Sequence, residues 1–243
     1  MAESELVPPP ADGRVFRHPV VAGLADVAPS GRARLDAIAR WLQDAALADV
    51  VDSGLDGGVW VLRRLRLCVA RFPRFGEALE VRTFCSGTGA LVAERRSTLC
   101  DAAGAAVEAL ALWVHLDPDG ARPRPLPDGF EAVYGASAAG RRVRAGLRHR
   151  GEPPADTPSS PWRFRGADLD LAGHVNNAVY WQVVEEELVA TEPDGGVDVE
   201  IEYRTPADVG EAVVLAGEGM RWIATGDGEV LATVRLGDQW IRP

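Results

Sequence analysis

The chain has 243 residues, 47% hydrophobic and 26% charged, the make-up of a globular protein with enough residues to bury a substantial core. Its 36 acidic residues outnumber 26 basic ones, and the net charge of −10 excludes a broad face for nucleic acid or anionic membrane. Every one of those cations is arginine, so Schiff-base lysine chemistry is excluded as well.

The opening residues carry Glu3, Glu5 and the run Pro8-Pro9-Pro10 where a secretory leader would have a basic and then an apolar stretch. No segment reaches the roughly 18 apolar residues of a membrane span. The reading is a soluble, cytoplasmic protein. The segment from Ala25-Asp26-Val27 to Ser30-Gly31 leads into an amphipathic helix with Leu35, Ile38, Leu42, Ala45 and Ala46 on one face. Arg71 to Glu77 then precedes a strand from Leu79 to Phe84, Asp101 to Gly104 reads as a hairpin turn, and Trp113 to Asp117 closes a further strand. Cys68 and Cys85 fall in strand-like stretches and Cys100 ends one. Odd in number and without a C-x-x-C pair, they read as reduced, small hydrophobes.

A change of composition follows. The stretch 118–161 holds eight of the 17 prolines and the basic runs Arg141-Arg142-Val143-Arg144 and Arg148-His149-Arg150. It is expected to be a surface linker, since proline cannot join a central strand. Beyond it, Asp168-Leu169-Asp170-Leu171-Ala172-Gly173-His174-Val175-Asn176-Asn177 brings two carboxylates, a histidine and the only two asparagines of the chain into one turn. Val179, Val183, Val184 and Leu188 then predict a helix over Ala178 to Ala190. Thr205 to Glu211 precedes a strand from Ala212 to Ala216, and Thr225 to Gly228 reads as another turn.

Shifted by 142 residues, Ala25-Asp26 to Gly31 lies on Ala167-Asp168 to Gly173, and each loop leads into a helix followed by a run of strands. With one long helix per half, the helix must bury its apolar stripe on its own sheet. The expected fold class is therefore α+β, a tandem (double) hotdog in which each half packs a long helix on a curved antiparallel β-sheet. The expected organisation is an N-terminal hotdog over 14–117, a Pro/Arg-rich linker over 118–160 and a C-terminal hotdog over 161–243 carrying the active-site loop.

The chain has no G-x-S-x-G elbow, no H-E-x-x-H or Cys/His cluster with metal-ligand spacing, and no Gly-rich phosphate loop. Asp170 and His174 remain. A carboxylate can attack a thioester carbonyl or take the proton of a water that does so, while a backbone N–H at the start of a helix stabilises the developing oxyanion. His174 could orient the carboxylate or the water, or protonate the departing thiolate. Asp168 could share a face with Asp170 or serve as a cap, and Asn176 and Asn177 could be N-caps or hold His174 in one tautomer.

Asp168-Leu-Asp170-Leu-Ala-Gly-His174-Val-Asn-Asn, followed by Tyr180 and Glu186, resembles the D-x-D-x-x-x-H-V-N-N-x-x-Y motif of the acyl-acyl carrier protein thioesterases of plant plastids and bacteria. The similarity extends to the first helix, Trp60 to Arg64, Arg71-Phe72-Pro73 with Gly76-Glu77, and Trp113 to Asp117. It implies hydrolysis of acyl thioesters carried on acyl carrier protein or coenzyme A, with no cofactor and no metal, and with Asp170 and His174 on the catalytic Asp and His. The plant-type motif has Asn where this chain has Ala172, and a Glu-Cys pair where Glu202-Tyr203-Arg204 runs on into Thr205-Pro206-Ala207. The loop Asp170-Leu171-Ala172-Gly173 also resembles the D-x-A-G loop of 4-hydroxybenzoyl-CoA-type hotdog thioesterases, in which a lone Asp works with a backbone amide, here the N–H of Asn177. Ala28 and Arg32 stand opposite Asp170 and His174, so the first half is expected to be silent. Arg141, Arg142 and Arg144 are the expected contact for an acidic carrier protein, and a homodimer is an allowed assembly. The alternatives are a non-catalytic acyl- or carrier-binding hotdog and a hotdog dehydratase of 3-hydroxyacyl thioesters.

Overall fold

The first long helix, α1 (Leu35–Ser53), turns Leu35, Ile38, Leu42, Ala45 and Ala46 inward and stops at Gly54, whose φ of 69° ends it by returning its N–H to Val51 O. Full burial of a Leu or Ile side chain contributes about 1.5–3 kcal/mol. Leu35 and Ile38, both 0% exposed, therefore anchor the helix to the sheet. The second, α3 (Trp181–Thr191), buries Trp181, Val183, Val184 and Leu188. It starts later than the apolar pattern predicts: residues 177–180 form a hydrogen-bonded turn, with Val179 N–H to Asn176 O and Trp181 N–H to Ala178 O. The structure is a computed structural model and describes residues 6–55, 58–117, 119, 122–191 and 195–237. Pro118 and residues 120–121 of the expected linker, and residues 238–243 of the expected second half, lie outside the described residues.

The strands are β1 (Phe16–Val21), β2 (Val59–Val69), β3 (Ala78–Thr88), β4 (Val92–Asp101) and β5 (Gly104–Leu116) before the linker. After it come β6 (Ser159–Phe164), β7 (Val197–Tyr203), β8 (Gly210–Gly217), β9 (Met220–Thr225) and β10 (Val230–Leu236). The β4–β5 turn is closed by Asp101, whose Oδ1 accepts the N–H groups of Ala103 and Gly104 at 2.7 and 3.0 Å. The strands form one antiparallel sheet in the order β1-β3-β4-β5-β2-β7-β10-β9-β8-β6. Exchanging each strand of the first half with its counterpart in the second reverses that order, as an internal two-fold requires. The halves meet where β2 pairs with β7, with Leu65 opposite Ile201 and Leu67 opposite Val199. One apolar core runs through this seam and takes in both helices. This is a tandem hotdog.

The duplication holds to single hydrogen bonds. Ala28 N–H to Arg32 O, Gly31 N–H to Ala28 O and Arg34 N–H to Asp26 O in the first loop recur as Asp170 N–H to His174 O, Gly173 N–H to Asp170 O and Asn176 N–H to Asp168 O in the second. Asp26 and Asp168 cap their loops alike, accepting the N–H of Gly23 and of Arg165.

The segment between the halves contains an element the proline content hides, α2 (Phe130–Ala138), which covers Cys85 and Ala93 with Phe130, Tyr134 and Ala138. Residues 141–150 then run as an extended strap, with Val143, Ala145, Leu147 and His149 turned partly inward and Arg142, Arg144, Arg148 and Arg150 outward. The strap is held down at the β2–β7 seam. Glu202 accepts the N–H groups of Arg148 and His149 at 2.8 and 3.0 Å, and His149 Nε2 lies 3.0 Å from Glu200 Oε1. His149, Glu200 and Glu202 lie close enough together to suggest a metal site. Their donor atoms are already engaged, however, by the two strap amides and by the nearby guanidiniums of Arg64, Arg204 and Arg235. The cluster is a buried ionic clasp. Among the described residues no helix is long and apolar enough to cross a membrane.

Candidate active site

The loop 168–177 is a tight turn made possible by Gly173, at φ 79°, and closed on both sides of it by the Asp170–His174 and Gly173–Asp170 backbone bonds. Asp170 is half-buried at its rim. Its Oδ1 accepts the N–H of Ala172 at 2.9 Å and its Oδ2 faces Asn176 Nδ2 at 3.3 Å. Each carboxylate oxygen therefore has one donor and keeps a lone pair for another.

Asp168 does not share this position. It is 7% exposed, and its Oδ2 accepts the N–H of Arg165 at 2.7 Å, which makes it the cap of the short turn ahead of the loop. Asn176 does two jobs, since its Oδ1 also accepts the N–H of Ala178 at 2.9 Å and so starts the turn into α3. Neither asparagine holds His174. The imidazole Nδ1 instead faces Asp208 Oδ1 at 3.3 Å, and among the described residues no hydrogen bond joins it to Asp170. Both partners are exposed, so the pair orients the ring more than it stabilises the fold.

Asp208 was missed in the sequence because it lies 34 positions from His174, in the β7–β8 loop. The duplication contained the signal. The loop before β3 gives Pro73 O to Ala33 N–H, and the loop before β8 gives Ala207 O to Val175 N–H, so each such loop lies against its half's turn. Asp208 therefore stands in the segment where the plant-type Glu-Cys pair is absent.

Asn177 is fixed from beneath. The buried Tyr203 hydroxyl accepts the Trp181 indole N–H at 3.1 Å and donates to Asn177 O at 3.0 Å. Burial pushes the Tyr203 phenol far above its ordinary range and that of Tyr180 up to about 12, so both stay neutral. Among the described residues the N–H of Asn177 has no acceptor. In the first-half loop the matching N–H, of Leu35, is filled: Glu185 Oε2 accepts it at 3.0 Å, and Glu185 pairs with Arg32 at 2.8 Å.

A cavity of about 340 Å³ lies between α1 and the sheet of the first half, with Ala46, Leu47, Val50, Trp60, Trp113 and Phe130 among its walls. A smaller lobe adjoins it beside Ala39, Leu42 and Leu62, and Gln43, Ala46, Arg95 and Trp113 line both. Helix α1 walls this slot through Leu42, whereas Trp41 lines neither lobe. Of the basic run, Arg141 is turned inward onto Glu94 and Ser86 O, while Arg142 and Arg144 are exposed.

Comparison with known proteins matches residues 13–134 to the acyl-ACP thioesterase N-terminal domain and 151–228 to the acyl-ACP thioesterase C-terminal domain. The chain is 26% identical over 219 residues to an uncharacterized protein of Mycobacterium tuberculosis, spanning 88% of this chain and 86% of the other. It is 25% identical over 208 residues to oleoyl-acyl carrier protein thioesterase 1 of Arabidopsis thaliana, spanning 74% of this chain and 58% of the other. Its fold is shared with the crystal structure of an acyl-ACP thioesterase from Bacteroides thetaiotaomicron, at a TM-score of 0.78 and 19% identity over 91% of this chain and 96% of the other. With both domain models matched in order along one tandem hotdog, the chain belongs to the acyl-ACP thioesterase family.

Proposed function

We propose that the protein hydrolyses acyl groups carried as thioesters on an acyl carrier protein, with Asp170 as the base. The observation that carries this reading is the pairing of Asp170, held half-open by Ala172 N–H and Asn176, with an Asn177 N–H that has no acceptor among the described residues. The thioester carbonyl would take that N–H. Water would attack the carbonyl carbon and give its proton to Asp170, and the C–S bond would then break, with the thiolate leaving protonated. Asp170 serves better as base than as nucleophile, because a hydrogen bond on each oxygen blunts attack while fixing direction. His174, oriented by Asp208, is the second group able to return a proton to the leaving thiolate. The acyl chain would lie in the slot along α1, and no metal or organic cofactor enters the scheme.

Arg142 and Arg144, exposed on the strap, offer local positive charge to an acidic carrier in a chain of net charge −10. Arg141, spent on Glu94, is at most a support for that surface.

The absence of the plant-type Asn, Glu and Cys favours a second reading, a hotdog that binds acyl thioesters without cleaving them. Free-thiol release from a panel of acyl-carrier and acyl-CoA thioesters separates the two. Release above the uncatalysed rate supports hydrolysis, binding without release supports the second reading, and loss of water from 3-hydroxyacyl substrates would indicate a dehydratase.

A further inference from the structure

The internal two-fold identifies a group that the loop alone does not. The offset of 142 carrying Ala28 to Asp170 and Arg32 to His174 carries Leu35 to Asn177 and relates Gln43 of α1 to Glu185 of α3. Across the first of these related positions the contact is explicit: Glu185, from the second half, accepts the N–H of Leu35 at 3.0 Å. By the same two-fold, the Glu185 counterpart that would face Asn177 is Gln43, from the first half.

Three observations support that pairing. Helices α1 and α3 pack against one another. Gln43 lines both lobes of the slot. Among the described residues the Gln43 amide makes no hydrogen bond and the Asn177 N–H has no acceptor, although each counterpart in the silent half is tied to the other.

We propose that Gln43 is a catalytic residue supplied across the halves: its Nε2–H joins the N–H of Asn177 in holding the thioester oxygen. This rests on the reading of Asp170 and Asn177 as the site. As water attacks, the carbonyl π pair moves onto oxygen and is held by the two donors while Asp170 takes the water's proton. When the carbonyl re-forms, the C–S bond breaks and the sulfur leaves as a thiol with a returned proton. The silent half differs in one decisive way. The carboxylate of Glu185 occupies the position that the substrate oxygen takes in the live half, and Arg32 locks it there at 2.8 Å.

The test is thiol release by Gln43→Ala and Gln43→Glu, each as a ratio to the parent at several pH values, with Asp170→Asn in parallel. Removing one oxyanion donor should lower kcat by about 100-fold or more with a smaller change in KM. Gln43→Glu should copy the silent half. Its carboxylate would accept the Asn177 N–H and repel the developing oxyanion, so its ratio should be lowest near neutrality and rise as pH falls and the group protonates. If Gln43→Ala does not fold, Gln43→Met keeps the shape, removes the donor and should show the same loss. Gln43 variants within a few-fold of the parent, with no change of pH profile, overturn the inference while an inactive Asp170→Asn leaves the reading of the site intact. An active Asp170→Asn overturns both.

Discussion

Glu185 reaches from α3 into the other half of the chain and accepts the backbone N–H of Leu35 at 3.0 Å, the first amide of α1. The contact ties the start of α1 to the middle of α3 across 150 residues of sequence and sets Glu185 against the buried Arg32. Burial raises the Glu185 carboxyl above its ordinary value, and the Leu35 N–H and Arg32 only partly offset that. Replacing Glu185 with alanine leaves the Leu35 N–H without its acceptor and takes the carboxylate away from a guanidinium that is 3% exposed. The expected loss is about 3–5 kcal/mol, read as a lowered urea midpoint at unchanged slope. A loss below about 1 kcal/mol would mean that water replaces the carboxylate freely.

Placing an acid in the first-half loop should not create a second site. Ala28→Asp supplies the counterpart of Asp170, yet Arg32 stands in place of His174 and Glu185 fills the amide site. The rate per chain should stay within about two-fold of the parent, within ordinary mutational variation. A second active site would appear as turnover by Ala28→Asp that survives the added Asp170→Asn change, and that would show the Glu185 contact to be dispensable.

The clasp beneath the strap should make stability depend on acid pH. Burial pushes the Glu200 carboxyl up, but the His149 hydrogen bond and the charges of Arg64, His149 and Arg235 outweigh it and hold it below the usual range. Its contribution is therefore fully present above the unfolded value, about 4.3, and is lost as pH falls through the lower folded value. Glu200→Gln should be less stable than the parent near neutrality, by about 3 kcal/mol for a broken buried pair, with the gap closing below pH ~4. Thermal midpoints across that range check it, and a gap independent of pH would refute the assignment. Glu185 contributes with the opposite sign but is common to both proteins.

Much of this was legible in the sequence, because repetition carries information that single residues do not. The 142-residue offset predicted the tandem fold, and three backbone hydrogen bonds of the first loop recur in the second at that offset. Asp170 stood out because a turn with carboxylates, a glycine and two asparagines concentrates polar groups where a helix begins, and the Asn177 amide was implied by the resemblance of Asp170-Leu171-Ala172-Gly173 to the D-x-A-G loop. Three things were hidden. Helix α2 has no polar cap and lies in a proline-rich stretch, and it forms because Phe130, Tyr134 and Ala138 cover an apolar hollow over Cys85. Asp208 and Glu185 act through contacts set by tertiary packing, beyond any local pattern. Arg141 looked like part of a surface cluster, but the alternation of the strap turns it onto Glu94.

That alternation sharpens the expectation for the carrier. Neutralising Arg142 and Arg144 together should raise KM for a carrier-bound substrate at low salt and leave kcat nearly unchanged, since surface charges act on encounter. The difference should fade as salt rises toward screening strength. A short acyl-CoA serves as control and should respond little. Unchanged KM for both substrates would remove the strap from recognition.

The most direct test of the account is Asp170→Asn, a nearly isosteric change that keeps an acceptor for Ala172 N–H and removes the base. With thiol release measured on the best acyl thioester of the panel, the account predicts a loss of about 100-fold or more in kcat at an unchanged thermal midpoint. Turnover within a few-fold of the parent, in a folded variant, would contradict it.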